Sequence, residues 1–313
     1  MDKVFQNIKG KQKMRNIKEN IELYLIMLPV LIHIFIFLYI PMYGIVIGFQ
    51  NYLPGSPFIA FDGSVEWVGL RHIIYFVKSI YFTRILGNTV FLSLQLLVFG
   101  FWVPITFSIL LNELKNGFFK KIVQTGSYLP HFISTVVVAG MVISFISTDG
   151  ILNKLIVFLG GEKKDFLVDP KYFPSIYTMT NIWKTFGWST ILYLSHIAAI
   201  NPNLYEAAKI DGANRFHRMW YVTLPSLLPS IDMLFIFAVG GLLNSNSQLI
   251  LLIYNPALYK KADVIGTFLY RSGIAGGQFS YGTAVGLFMT IINFTLLYSA
   301  NAITRKRSEN ALW

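Results

Sequence analysis

Cysteine is absent from the 313 residues, and charge is scarce. Without thiols there is no disulfide and no thiolate metal site. Charged residues make up 13% of the chain, about half the roughly 25% usual in soluble domains. No G-x-x-x-x-G-K followed by Ser or Thr occurs, so the chain has no P-loop for a nucleotide, and there is no H-E-x-x-H. The five histidines, His33, His72, His131, His196 and His217, are scattered without a pair at ligand spacing. They read as packing or interfacial residues. No catalytic constellation is present, so any energy the protein uses comes from a partner.

What is present is apolar: 54% of the residues are hydrophobic. They fall in six blocks, about 23–48, 84–111, 122–147, 175–200, 227–253 and 281–303. Each can cross a bilayer, which takes roughly 20 apolar residues. The expectation is an all-α integral membrane protein with six transmembrane helices forming one domain, 23–304. A basic segment, 1–22, precedes it and a short tail, 305–313, follows. Pro29 and Pro41 predict kinks in the first span, and Gly100 and Pro104 weak points in the second. The first block is too long for a signal peptide and has no small-residue cleavage site. The net charge of +11 suggests membrane flanks rather than nucleic acid. Six spans put both termini on one side, Lys and Arg are in excess there, and that side reads as cytoplasmic. No internal repeat is visible, which weighs against an inverted-repeat transporter.

Between the fourth and fifth blocks lies a polar island, Tyr205–Pro225. Asn201-Pro202 is a helix start and Asp211-Gly212 a turn signal. Leu204, Ala207, Ala208 and Asp211 share one face of the first helix. A second short helix carries Phe216, Met219 and Trp220 on one side before Leu224-Pro225 re-enters the membrane. Two readings fit this pattern: a connector lying on lipid headgroups, or a docking site. Ala207 and Ala208 would let another surface approach closely, with Glu206, Lys209, Arg215 and Arg218 around them.

Polar residues within spans are expensive and therefore informative. Asn181, Lys184, Thr185 and Trp188 form a stripe at helical spacing. Asn244 and Gln248 stand one turn apart, with Asn246 and Ser247 beside them, and Gly286, Thr290 and Asn293 share a face. Any one of these can be interhelical glue. As a set they suit the lining of a path for a hydroxyl-rich ligand, because amides donate and accept while flat rings stack on sugars. Gly282 and Gly286 read as close helix packing. Asp232 is either a cap for a helix entering after Pro229 or the proton site of a secondary transporter.

The run Glu206-Ala207-Ala208, Gly212, Val222-Thr223-Leu224-Pro225 resembles the EAA signature of membrane subunits of binding-protein-dependent ABC importers. Tyr24–Tyr52, Gly100–Leu114 and Tyr254–Gly286 are similar to the maltose-importer type, in its complex-oligosaccharide subgroup. The resemblance implies the type I ABC importer permease fold, with N- and C-termini cytoplasmic, in the bacterial cytoplasmic membrane. It implies a heterodimer with a second homologous permease, the first helix reaching over that partner. It also implies two ATPase subunits, which hold ATP and Mg so that this chain needs no cofactor, and an extracytoplasmic solute-binding protein. The cargo would be an oligosaccharide, with a peptide or amino acid permease and an autonomous secondary transporter as alternatives. Glu206, Ala207, Ala208, Asp211, Gly212, Leu224 and Pro225 would be the ATPase-coupling residues. Asn181, Lys184, Trp188, Asn244, Gln248, Thr290 and Asn293 are the candidate path. The chain departs from its relatives at Asn246-Ser247-Gln248-Leu249, where Gly-Phe-Glu-Gln is common, so an amide replaces an acid in the path.

Overall fold

The computed structural model describes residues 20–60, 63–115 and 117–307. Most of the basic N-terminal segment and the end of the tail lie outside these residues. Among them every regular element is helical, with a single isolated bridge, Gln50–Trp67. Helix α1 covers Ile21–Phe49 and α2 covers Arg71–Lys78. Next come α3, Phe82–Glu113, α4, Phe118–Phe132, α5, Thr135–Ile146, and α6, Ile151–Phe158. Then follow α7, Phe173–Ala198, α8, Pro202–Ile210, α9, Arg215–Gly240, α10, Ser247–Ile253, and α11, Phe279–Arg307.

Three prolines leave the same local mark. A proline inside a helix donates no hydrogen bond, and its ring crowds the carbonyl four residues back. For Pro41, Pro104 and Pro225 those carbonyls belong to Phe37, Gly100 and Tyr221. Each lies in a widened π turn, at Phe35–Tyr39, Leu96–Gly100 and Met219–Thr223. The expected weak points at Pro41 in α1 and at Gly100 and Pro104 in α3 are thus wide turns within continuous helices, α9 acquires one just before Pro225, and Pro29, also expected to kink α1, lies in regular α-helix.

Two apolar blocks are divided. The third, 122–147, is broken between α4 and α5: Ile133 is extended and Ser134 caps α5 by accepting from Val137 N. The fifth, 227–253, ends its long helix at Gly240. Residues 241–246 are non-helical, and Asn246 then caps α10 by accepting from Leu249 N. At its other end this helix begins at Arg215, well before Leu224-Pro225, so those two residues lie inside a continuous helix. Pro229 and Asp232 both lie inside α9, so Asp232 does not cap it; Asn214 does, accepting from His217 N.

Among the described residues five stretches have both the length and the apolarity to cross a bilayer: α1, α3, α5 continued into α6, α9 and α11. Helix α7 is long enough, 26 residues or about 39 Å, but carries the polar stripe. Helix α11 packs against the end of α1, where a Cβ on Gly48 would stand 3.1 Å from Ala284 N. Gly282 meets Gly273 backbone to backbone, whereas Gly286 has open space, so only the first of the two glycines serves close packing. Of the residues from Ile21 to Met42 none is buried by the other described residues.

The crossover between α10 and α11 is tied to α3 by a buried carboxylate that the sequence alone does not reveal. Asp263, fully buried, accepts from Arg271 Nη2 at 2.8 Å, Arg271 Nη1 at 3.1 Å, Thr267 Oγ1 at 2.9 Å and Arg84 Nη2 at 3.4 Å. Asn88 on α3 donates to the backbone carbonyls of Asp263 and Lys260.

Candidate functional site

The island folds into a compact unit. Asn201 Oδ1 accepts from Asn203 N at 3.0 Å and starts α8, with Pro202 in its first turn. The helix ends in a Schellman arrangement: Gly212 N donates to Lys209 O at 3.1 Å and Ala213 N to Ala208 O at 2.8 Å. Gly212 has φ +81, the left-handed region where glycine carries no Cβ penalty. Asn214 then caps α9. Tyr205 on α8 hydrogen-bonds through its hydroxyl to Thr223 Oγ1, 3.0 Å away, at the wide turn of α9. Glu206, Ala207, Asp211, Gly212 and Pro225 are exposed, Ala208 and Leu224 partly so. Ile210, Phe216 and Trp220 present bare apolar surface, and the last two rings stack in parallel. The arrangement can receive a partner's groove on small and apolar residues with charge around them.

The second assembly surrounds α7. Gly187 brings α7 against α4 so closely that a Cβ there would meet the Ser127 carbonyl. That contact sets Trp188 over His131, the rings parallel at 4.6 Å. One turn earlier, Lys184 donates to Thr135 Oγ1 at 2.7 Å, in the first turn of α5. Asn181 is buried and accepts from Asn246 Nδ2 at 3.2 Å, while Asn246 N donates to the Tyr177 hydroxyl at 2.9 Å. The polar stripe therefore borders both helix breaks, one at 133–134 and the other at 241–246. Non-helical backbone at membrane depth is tolerated only inside protein or along a water-filled cavity. A cavity of about 300 Å³ does lie beside it, between α3, α7 and α9, lined by Ser93, Gly100, Ser189, Tyr193, Asn244 and Ser245 among others.

The candidate path residues thus fall into groups. Asn181, Lys184 and Trp188 lie together. Asn244 and Asn293 form a separate pair: Asn293 Nδ2 donates to Asn244 Oδ1 at 3.0 Å, and Asn293 Oδ1 accepts from Leu243 N at 3.2 Å. Gln248 is exposed on α10. Thr290 turns its hydroxyl back to Gly286 O on its own helix. Sequence reasoning missed Tyr177, Thr135 and the role of His131. Ser134 at a cap position after Pro130 was the available signal for the break that brings the last two in. Among the described residues no cluster could hold a metal ion.

Residues 100–308 match the family described as binding-protein-dependent transport system inner membrane component. The chain is 40% identical over 312 residues to the polygalacturonan/rhamnogalacturonan transport system permease protein YteP of Bacillus subtilis, covering 99% of this chain and 96% of that protein. It is 39% identical to protein LplB of the same organism, covering 97% and 95%. It superposes with a TM-score of 0.84 and 37% identity on a chain of a bacterial ABC transporter involved in the import of the acidic polysaccharide alginate, covering 95% of this chain and all of that one. A second structure of an alginate ABC transporter, in complex with an alginate pentasaccharide-bound periplasmic protein, matches with a TM-score of 0.85. A multi-pass helical membrane chain, with a short polar helix–turn–helix unit, intramembrane helix breaks and similarity along nearly its whole length, belongs to the binding-protein-dependent transport system inner membrane components.

Proposed function

We propose that this permease passes an oligosaccharide, delivered by a solute-binding protein outside the membrane, into the cytoplasm. The observation that carries the cargo is the stripe of amides, a cation and stacked aromatic rings on α7, set against two helix breaks. Amides and flat rings suit sugar hydroxyls and sugar faces, and the relatives are named for polygalacturonan, rhamnogalacturonan and alginate. Asn181, Lys184 and Trp188 line the path, with Asn244 and Asn293 alongside, and Gln248 and Thr290 stand at its margin.

Energy enters at the other assembly. ATP and Mg reside on two separate ATPase subunits, and the unit formed by α8 and the start of α9 docks on one of them. Glu206, Ala207, Ala208, Asp211 and Gly212 form the contact, and Leu224 and Pro225 transmit it through the wide turn at Met219–Thr223. Both termini and this unit are cytoplasmic. A second, homologous permease covers the bare surface of α1 and completes the path, and the pair alternates between outward and inward openings by rigid-body motion.

Gly212→Pro tests the docking role. Proline holds φ near −65°, so the Schellman turn cannot form. The assembled complex should insert normally and lose cargo-stimulated ATP hydrolysis, measured in proteoliposomes. Full stimulation in this variant would remove α8 from the coupling route.

A further inference from the structure

Lys184 sits about 17 Å along α7 from its first residue, near the middle of the span. An ammonium at that depth cannot face hydrocarbon without a heavy cost, so it faces protein or water. Its partner among the described residues is a neutral hydroxyl, that of Thr135, and no carboxylate is paired with it. Elsewhere the chain treats buried charge differently: Asp263 is flanked by Arg271 and Arg84. The intramembrane amides likewise satisfy one another, Asn181 with Asn246 and Asn244 with Asn293. Lys184 alone in this stripe keeps a full charge without a counter-charge.

Its surroundings are also unfinished. Trp188, one turn further on, is 45% exposed although it lies within the span. His131 stacks on one face of the indole and Phe132 meets it edge-on at 5.7 Å, which holds the ring still. His131 Nδ1 is buried without a hydrogen-bond partner. A fixed aromatic face beside an unbalanced cation matches a ring that carries its own carboxylate.

We propose that Lys184 and Trp188 form a subsite selective for the uronate rings of an acidic oligosaccharide, the ammonium pairing with the carboxylate and the indole stacking on the ring. This rests on the oligosaccharide reading given above and narrows it to charged glycans. His131 is a positioning residue that fixes the indole. The competing source of negative charge is an acidic side chain of the second permease across the path, and it makes a different prediction.

The test uses the whole importer, with its second permease, ATPases and solute-binding protein, reconstituted in proteoliposomes. Uptake is measured for trigalacturonate and trimannuronate and for the methyl ester of each, which keeps the rings and removes the charge. Because the solute-binding protein also selects, the readout is the acid-to-ester uptake ratio of each variant against wild type with the same binding protein. Lys184→Met should lower that ratio about tenfold, the scale of a charge-assisted hydrogen bond, and Lys184→Arg should retain it. An unchanged ratio in Lys184→Met, as an ion pair with the second permease would give, overturns the proposal. So does a wild-type importer that prefers neither acid over its ester. In both cases uptake of the glycans leaves the oligosaccharide reading standing. A wild-type importer that takes up none of the four glycans also overturns this subsite; the oligosaccharide reading itself falls only if neutral oligosaccharides are refused as well.

Discussion

The docking unit and the intramembrane stripe are built from opposite kinds of contact. In the docking unit the partners are close in sequence: the caps reach two or three residues, and the longest bond, Tyr205 to Thr223, spans 18. In the stripe, Lys184 reaches Thr135 across 49 residues, and Asn246 reaches Asn181 and Tyr177 across 65 and 69. A locally closed unit keeps its shape whatever the spans around it carry, which suits the docking role proposed for it. A site assembled from distant segments changes with any of them, which suits a part that must match one cargo. Under the function proposed above, the same chain separates how transport is powered from what is transported.

The largest effect that would sharpen this separation is expected at Gly187. A side chain there meets the Ser127 backbone carbonyl, so Gly187→Leu must push α7 from α4. Overpacking of this kind costs about 1–3 kcal/mol, and it parts Trp188 from His131. Thermal unfolding of the purified complex should shift down, and uptake should be lost. The docking unit is built from α8 and the start of α9 rather than from α4, so basal ATP hydrolysis by the assembled complex should persist. Loss of basal hydrolysis together with uptake would show that the two regions are not separate.

The contrast also explains what could be read in advance. The docking unit was legible because its signals are local: Asn201-Pro202, Asp211-Gly212 and the alanine pair announce a helix, a turn and a bare face. The spans were legible from apolar length. Their interruptions were not, because Ser134 after Pro130 and the polar run Asn244–Ser247 sit inside blocks long enough to span, where the same residues read equally as interhelical glue, and the partners that hold the breaks open, Lys184 and Asn181, are distant in sequence. Tyr177 illustrates the limit. Nothing near it in sequence indicates that its hydroxyl would accept from a backbone amide 69 residues away. The buried Asp263 is a similar case, since its main counter-ion is 8 residues off on a bent segment and another lies on α3.

A middle-sized effect is expected for the amide pair. Truncating either Asn181 or Asn246 leaves the other partner's polar group buried and unmatched, a cost of about 1–3 kcal/mol. Asn181→Ala, Asn246→Ala and the double variant form a cycle whose interaction energy should be about 0.5–1.5 kcal/mol by thermal or denaturant unfolding. Asn246 also caps α10, so its single variant should be the more destabilised. Additive losses would mean that the 65-residue reach is incidental, and the picture of a stripe assembled through distant pairs would lose its best support.

The smallest effect on stability is expected at Tyr205, and there the two regions can be told apart most sharply. Tyr205→Phe removes only the hydroxyl that meets Thr223. Thr223 Oγ1 still lies 3.4 Å from Arg218 O, so no buried group is stranded and the loss is about 0.5–1 kcal/mol. The bond nevertheless joins α8 to the wide turn of α9, the only hydrogen-bonded side-chain link between them among the described residues. Movement of α8 should then reach the spans less faithfully, and cargo moved per ATP hydrolysed should fall while the unfolding temperature barely changes. A variant that kept the full transport-to-hydrolysis ratio would mean that backbone continuity from Gly212 into α9 carries the motion unaided.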